Sequence, residues 1–89
     1  MKSKQSSVEE KVRFIIANTL NVDSSRILPG TDLVNDLGAD SLDVLTIALD
    51  LDKEFGIKVE DKEVPLFRSC GAIASAVVRH LQNREQSPA

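Results

Sequence analysis

Tryptophan and tyrosine are absent from this sequence, and phenylalanine, at three positions, is its only aromatic residue. The core must therefore consist mainly of Leu, Ile, Val and Ala, with Phe14, Phe55 and Phe67 added to them. Strands are enriched in aromatic and β-branched residues, so this composition favours packed aliphatic helices over a β-sandwich. With 89 residues, the chain is predicted to form one domain around a single thin core.

Cysteine and histidine each occur once, as Cys70 and His80. One cysteine cannot form an intramolecular disulfide, and with one histidine it does not supply the ligands of a metal site, so we expect no metal and a reducing compartment. Cys70 is predicted to be a buried apolar residue rather than a reactive thiol. His80 is predicted to lie in the last turn of a helix, where positive charge is favoured, and we assign it no chemistry.

Long apolar runs are missing as well. No segment approaches the length that crosses a bilayer, and the polar residues 1–10 lack the apolar region of a signal peptide. We therefore expect a cytoplasmic protein without membrane insertion, and we expect it to be a monomer.

Acidic residues are concentrated in the middle of the chain, although the net charge is only −3. Residues 32–63 contain ten acidic and three basic residues, which is a local charge of −7, and the rest of the chain carries +4. Clustered charge of one sign attracts partners of the opposite sign, so this region is predicted to bind proteins with basic surfaces. Nucleic acid is disfavoured as a partner because the proteins that bind it are basic.

Helical periodicity marks three segments of the chain. Apolar residues recur at spacings of three and four over residues 8–20, 41–55 and 70–81, which predicts three main helices. We accordingly divide the chain into a flexible N-terminus, a folded domain and a flexible tail, at residues 1–7, 8–82 and 83–89.

Shorter elements connect these helices. A brief fourth helix is predicted at residues 60–64, after the helix end at Gly56, and Pro65 should end it. The first connection, residues 21–39, is long and contains the turn signal Pro29-Gly30. The predicted fold class is therefore all-α: a small up-down helical bundle of three main helices plus one short helix, with a long first loop.

Several apolar residues of this first loop could hold it against the core. Thr31 or Asp32 is predicted to begin a single short turn within it. The loop residues predicted to pack are Val22, Ile27, Leu28, Leu33, Val34 and Leu37.

The second helix begins within the segment Gly38-Ala39-Asp40-Ser41-Leu42-Asp43. Asp40 fits the N-cap position, and Asp43 lies where the free amides and the helix dipole favour negative charge. Ser41 is thereby placed in the first turn, with its hydroxyl pointing outward. Acids around a serine at a helix start commonly have a capping role alone, and position by itself leaves that interpretation open.

Catalysis by Ser41 is not indicated. In the G-x-S-x-G elbow of hydrolases a glycine follows the serine by two positions, whereas here Asp43 does so. A nucleophilic serine also needs a base, and the only histidine is near the end of the chain. We therefore predict that the protein is not an enzyme and that another enzyme modifies the exposed hydroxyl.

The second helix has two apolar sides. The side predicted to enter the core consists of Val44, Ile47, Ala48, Leu51 and Phe55. The opposite side, among polar residues, carries Leu42, Leu45 and Leu49. A central helix could bury both sides, but the flanking acids leave no obvious layer to cover the second one, so we favour a protein docking surface there.

The segment Asp36-Leu37-Gly38-Ala39-Asp40-Ser41-Leu42-Asp43 resembles the modification motif of acyl carrier proteins, in which the serine carries 4′-phosphopantetheine. The similarity continues through Asp52-Lys53-Glu54-Phe55-Gly56-Ile57 and Ser69-Cys70-Gly71-Ala72-Ile73, and extends over roughly residues 8–81. It implies that Ser41 is joined through a phosphodiester to a flexible arm, and that acyl groups are held as thioesters on the thiol of this arm.

The resemblance also implies partners. These are a phosphopantetheinyl transferase and the enzymes that load, elongate and transfer acyl groups in fatty-acid or dedicated lipid or polyketide-type biosynthesis. It implies a partner surface formed by Asp40, Leu42, Asp43, Leu45, Thr46, Leu49 and Asp52. Cargo on the arm could also fold back between the helices, where it would contact Val44, Ala48, Ala74 and Val77.

Several positions depart from the family pattern, among them Pro65 and the alanines Ala72, Ala74 and Ala76. Thr46 stands where fatty-acid carriers typically have glutamate, and Asp52-Lys53 stands where they have an acidic pair. A carrier dedicated to one pathway is therefore an alternative to the general fatty-acid carrier. An aminoacyl or peptidyl carrier would use the same serine chemistry, and a helical interaction module would need no modification, so both remain alternatives.

Overall fold

Three long helices and two short 3-10 segments make up the computed structural model, which describes the backbone of residues 4–86 and the side chains of residues 7–83. The long helices are α1 (Lys4–Leu20), α2 (Ser41–Phe55) and α3 (Cys70–Gln86). The 3-10 segments are a turn at Ser24–Arg26 and a helix at Asp61–Leu66. Within the described backbone there is no strand. The predicted all-α architecture, with three main helices, a short helix and a long first loop, is confirmed.

The first and last helices are longer than their apolar periodicity predicts. α1 begins at Lys4 rather than at residue 8, and α3 continues to Gln86 rather than ending near residue 81. The added residues are polar, but Lys, Gln, Arg and Glu are good helix formers, so the helix continues where no apolar face marks it. Residues 4–7 and 83–86, predicted to be flexible, are therefore helical, and residues 1–3 and 87–89 lie outside the described residues. No helix between residues 4 and 86 is both long and apolar enough to cross a membrane.

The core lies between the three long helices and also includes residues of the first loop. Phe67 is buried and Phe55 is half-buried, but Phe14 is 64% exposed, so its predicted place in the core is wrong. Phe14 lies on the side of α1 opposite Val12 and Ile16, and this position decides its exposure. The largest fully buried side chains are Ile16, Ile27, Leu33, Ile47, Leu51, Ile73, Val12 and Val77.

The first loop packs against the core at fewer positions than predicted. Ile27 and Leu33 are buried, whereas Leu28 and Val34 are 63% and 45% exposed, so the prediction is wrong for these two. The loop also contains the 3-10 turn Ser24–Arg26, which apolar periodicity does not indicate. Val22 and Leu37 are partly buried against the core, so four of the six predicted residues pack as expected.

A tight turn begins at Asp32, one of the two predicted positions. Its Oδ1 accepts hydrogen bonds from the backbone N–H groups of Val34 and Asn35, at 2.9 and 2.8 Å. The N–H of Asp36 donates to the carbonyl of Asp32 at 2.9 Å. The carboxylate of Asp32 thus replaces the missing backbone partners of the turn that leads towards α2.

Two backbone hydrogen bonds join the first loop to the region where α3 begins. The N–H of Leu33 donates to the carbonyl of Arg68 at 2.8 Å, and the N–H of Gly71 donates to the carbonyl of Pro29 at 2.9 Å. Glycine leaves room for the second approach, because a Cβ at position 71 would lie only 3.0 Å from the Pro29 oxygen, and the loop would have to shift by a few tenths of an ångström.

The 3-10 helix Asp61–Leu66 differs from its prediction at its end. Pro65 lies inside this helix, so the expectation that Pro65 would end it is wrong. In so short a helix the missing N–H of proline removes one backbone bond, and the N–H of Phe67 still donates to the carbonyl of Val64 at 3.0 Å. As predicted, α2 ends at Gly56, whose φ of 64° is in the left-handed region.

Candidate functional site

Two aspartates determine the start of α2 around Ser41. The N–H of Asp43 donates to Oδ1 of Asp40 at 2.8 Å, and the N–H of Asp40 donates to Oδ2 of Asp43 at 3.2 Å. This reciprocal capping box satisfies backbone amides that a helix start otherwise leaves unpaired. Gly38 precedes it with a φ of 75°, which glycine adopts without steric cost. The predicted capping roles of Asp40 and Asp43 are confirmed.

Ser41 is exposed, as predicted. Among residues 7–83, no group forms a hydrogen bond with its hydroxyl. His80, the only histidine of the chain, instead lies against Glu63, with Nε2 at 2.9 Å from each carboxylate oxygen. Ser41 is therefore an accessible hydroxyl that no histidine activates.

Two pockets border Ser41, between the start of α2 and the 3-10 helix. The larger one has a volume of about 460 Å³, and its lining includes Ser41, Val44, Val64, Pro65, Phe67 and Arg68. The smaller one has a volume of about 370 Å³ and is lined by Ser41, Leu42, Leu45, Asp61, Val64 and Pro65. Most of these side chains are apolar, so the space beside the serine suits an apolar group.

These pockets do not extend to the small residues of α3 predicted to enclose cargo. Val44 lines the larger pocket. Ala48, Ala74 and Val77 are buried in the core instead. The open space beside the serine is therefore bounded by the 3-10 helix rather than by α3.

Leu42, Leu45 and Leu49 form an exposed side of α2, which we call the leucine surface. Their side chains are 68%, 42% and 54% exposed. The residues buried on the other side are Val44, Ile47, Ala48 and Leu51. The alternative in which α2 is buried on both sides is therefore wrong, and an apolar surface of this kind is typical of protein interaction sites.

The polar residues predicted to contact partners already form bonds within the chain. Besides the two aspartates of the capping box, the hydroxyl of Thr46 donates to the carbonyl of Leu42 at 3.0 Å. Oδ1 of Asp52 accepts a hydrogen bond from the N–H of Val59 at 2.9 Å. Asp52 lies in the last turn of α2, at the opposite end of the helix from Ser41. Its hydrogen bond with Val59 holds the segment that follows α2 against the end of this helix.

Val64, Pro65 and Arg68 border Ser41 but were not among the predicted site residues. They belong to the 3-10 helix and the link after it, and they reach the serine because this helix packs against α2. Neither spacing nor composition contains a signal for that contact. Among the described residues that line the larger pocket, Arg68 is the only basic one.

Arg68 forms an ion pair with Asp32, in which Nη2 lies 3.5 Å from Oδ2. The backbone N–H of Asn35 has the largest effect on the pKa of Asp32, and the N–H of Val34 and the charge of Arg68 act in the same direction. Together they hold this pKa below its usual value, against the opposite effect of burial. Asp32 is therefore ionised at neutral pH.

Cys70 is buried, as predicted. Burial, with a smaller contribution from the charge of Glu9, raises the pKa of its thiol and keeps it protonated. In the part of the chain that the structure describes, no three His, Cys, Asp or Glu side chains are arranged to hold a metal ion.

Comparisons with known proteins agree on one family. A family model described as the phosphopantetheine attachment site matches residues 10–77. An acyl carrier protein of Thermotoga maritima is 39% identical over 71 residues, which cover 80% of this chain and 88% of that protein. An acyl carrier protein of Clostridium acetobutylicum is 36% identical over 75 residues, covering 84% and 97%. A solved structure of the acyl carrier protein from Enterococcus faecalis has a TM-score of 0.73 and 27% identity, and the match covers 88% of this chain and 99% of that one.

Proposed function

The chain belongs to the acyl carrier protein family, and we propose that Ser41 is the residue that carries its 4′-phosphopantetheine arm. When attached, this arm supplies the thiol on which an acyl group is held as a thioester. Three observations support Ser41: its hydroxyl is exposed, it forms no hydrogen bond with another described residue, and it borders two pockets. The capping box leaves its hydroxyl available, because Asp40 rather than Ser41 accepts the hydrogen bond from the N–H of Asp43.

In this function the residues of the chain present the arm and do not react with its cargo. Asp40 and Asp43 hold the start of α2 in one conformation, so the attachment point has a defined position. Val44 and Pro65 supply apolar walls beside it. We propose that the loading, elongation and transfer of acyl groups are catalysed by partner enzymes.

We propose that these enzymes, beginning with a phosphopantetheinyl transferase, dock on the leucine surface. Its three side chains are exposed, and two of them line the smaller pocket next to Ser41. Asp43, Thr46 and Asp52 occupy the same helix, in a region with a net charge of −7. Basic surfaces on the partners would therefore be attracted to this side of the protein.

Two exposed residues of α2 give information about the biosynthetic pathway that the carrier serves. Thr46 and Lys53 replace acidic residues that the family resemblance leads one to expect, and both are at the surface. They change the charge available to partners without affecting the core. A carrier dedicated to one lipid or polyketide-type pathway is therefore proposed beside a general carrier of fatty-acid biosynthesis. In either case we propose a cytoplasmic location.

Attachment is tested by intact-mass measurement after incubation with coenzyme A and a phosphopantetheinyl transferase. The wild type should gain one phosphopantetheinyl group, and Ser41→Ala should gain none. Ser75→Ala removes another exposed serine, on α3, and should be labelled like the wild type. Failure of several transferases to label the wild type would overturn the proposal and favour an unmodified interaction module. If the arm is attached, the intact mass of the protein recovered from its own cells would identify the cargo, and the cargo would indicate the pathway.

A further inference from the structure

Arg68 shares the larger pocket with Ser41. Its side chain is 64% exposed, so the guanidinium is accessible to solvent rather than buried below the pocket. Asp40 lines the same pocket, and no second basic residue is found among the described residues that line it. Arg68 therefore places a single accessible positive charge beside the proposed attachment point.

The ion pair with Asp32 leaves Arg68 largely free to bind another anion. Its N–O distance of 3.5 Å is long for a hydrogen bond between charged groups, which is typically about 2.8 Å. The oxygens of Asp32 accept shorter bonds, at 2.9 Å from the N–H of Val34 and at 2.8 and 3.2 Å from the backbone and side chain of Asn35. Since a guanidinium has several N–H donors, most of them remain available.

We propose that Arg68 binds the phosphodiester that joins the arm to Ser41, an inference that rests on the proposed attachment at this serine. A phosphodiester is negatively charged, and it would be added to a helix start that already contains Asp40 and Asp43. A cation in the same pocket offsets this repulsion. Arginine suits the task because its planar set of donors matches the oxygens of a phosphate group.

A carboxylate at the end of the cargo is a less suitable ligand for Arg68. The cargo is attached to the far end of a flexible arm, and the effective concentration of a tethered group falls as the tether becomes longer. The phosphodiester, by contrast, is attached to the serine that lines the same pocket. Arg68 does not line the smaller pocket. Binding to Arg68 would therefore direct the base of the arm away from Leu42 and Leu45 and leave the leucine surface open to partners.

NMR on the full chain, before and after attachment of the arm, tests this inference. The samples are the wild type, Arg68→Gln, Arg68→Lys and the control Arg26→Gln, which changes an exposed arginine outside the pocket. We expect attachment to shift the Nε–Hε signal of Arg68 in the wild type. Among the samples that carry the arm, we expect the phosphorus signal of the phosphodiester in Arg68→Gln to differ in chemical shift from that of the wild type. The difference should be smaller in Arg68→Lys and absent in Arg26→Gln.

Intact mass establishes beforehand that each sample carries the arm, so a failure of attachment is detected separately from a failure of the inference. Loading the arm with acetyl or succinyl groups then distinguishes the phosphodiester from a cargo carboxylate as the ligand of Arg68, because only the succinyl group ends in a carboxylate. An Nε–Hε signal of Arg68 that does not change on attachment of the arm, or that changes only when the succinyl group is present, would overturn the inference. The Tm is a second readout. Attachment of the arm should raise the Tm of the wild type and of Arg26→Gln more than that of Arg68→Gln. Equal increases in the three proteins would contradict the inference.

Discussion

The imidazole of His80 on α3 meets the carboxylate of Glu63 in the 3-10 helix, with Nε2 at 2.9 Å from both Oε1 and Oε2. Both side chains are mostly buried, at 24% and 15% exposure. Glu63 directly precedes Val64 and Pro65, which line both pockets beside the serine. This contact therefore joins the wall of the pockets to α3. The prediction that His80 lies in a last helical turn is wrong, because α3 continues to Gln86.

The contact between His80 and Glu63 should make stability depend on pH. Partial burial by itself raises the pKa of Glu63, but the N–H of Glu60 and the imidazole of His80 outweigh it, so this pKa lies below its usual 4.5. A carboxyl group whose pKa is lower in the folded than in the unfolded protein stabilises the fold above its unfolded pKa. That stabilisation is lost as the pH falls through the folded pKa.

We therefore expect Glu63→Gln to reduce the free energy of unfolding by about 1 kcal/mol at neutral pH. The difference from the wild type should shrink as the pH falls below the usual pKa of 4.5. Urea unfolding over a range of pH measures this. Glu54→Gln is the control, because its ion pair with Lys11 is exposed and should contribute little. A difference between Glu63→Gln and the wild type that stays constant with pH would contradict the assignment.

The capping box should contribute measurably to stability. Asp40→Ala removes the acceptor of the Asp43 amide, and we expect it to lower the free energy of unfolding by about 1 kcal/mol. Asp40→Asn keeps an acceptor oxygen and should lose only a few tenths of this amount. Chemical unfolding of the three proteins compares them, and equal stability of Asp40→Ala and the wild type would show that the cap is unimportant.

The close approach of the first loop to α3 predicts the effect of an added methyl group. In a helix, replacing glycine by alanine normally stabilises by up to about 1 kcal/mol. In Gly71→Ala the new Cβ would lie 3.0 Å from the Pro29 oxygen, so we expect a net loss of about 1 kcal/mol instead. Gly30→Ala, in the first loop, is the control for an added methyl group without a close neighbour, because nothing lies within 4 Å of a Cβ at that position. A higher Tm of Gly71→Ala would mean that the first loop shifts away from the new methyl group without a loss of free energy of unfolding.

The leucine surface should affect modification by the transferase. Leu45→Asp places a charge on this surface, and we expect kcat/KM for attachment of the arm to fall by about tenfold, which corresponds to one residue at the centre of an interface. Phe14→Asp makes the same kind of change at an exposed residue of α1 and should have little effect. Circular dichroism checks that both variants are folded. Similar losses in the two variants would rule out a specific docking role for α2.

Asp43→Lys is less informative than Leu45→Asp about docking. Oδ2 of Asp43 accepts the N–H of Asp40, so lysine at this position would disturb the helix start that presents Ser41. A slower reaction of that variant could result from a displaced serine rather than from a lost contact with the partner.

Local signals were sufficient to predict α2 and the exposure of its serine. The capping aspartates, the left-handed Gly56 and the spacing of apolar residues act within one or two helical turns, where hydrogen bonds and side-chain direction decide the conformation. The bounds Ser41–Phe55 and the buried face of this helix were therefore predicted correctly. The polar ends of α1 and α3 carry no such spacing, and their helices were predicted too short.

The sequence by itself determined the main helices, the cap of α2 and the outward position of Ser41, because these depend on residues a few positions apart. Tertiary structure alone decided that Arg68 borders this serine, that His80 meets Glu63 and that Phe14 is left outside the core. Contacts of this second kind depend on how the helices pack. Packing follows from the simultaneous fit of many side chains, and no local spacing in the chain encodes it.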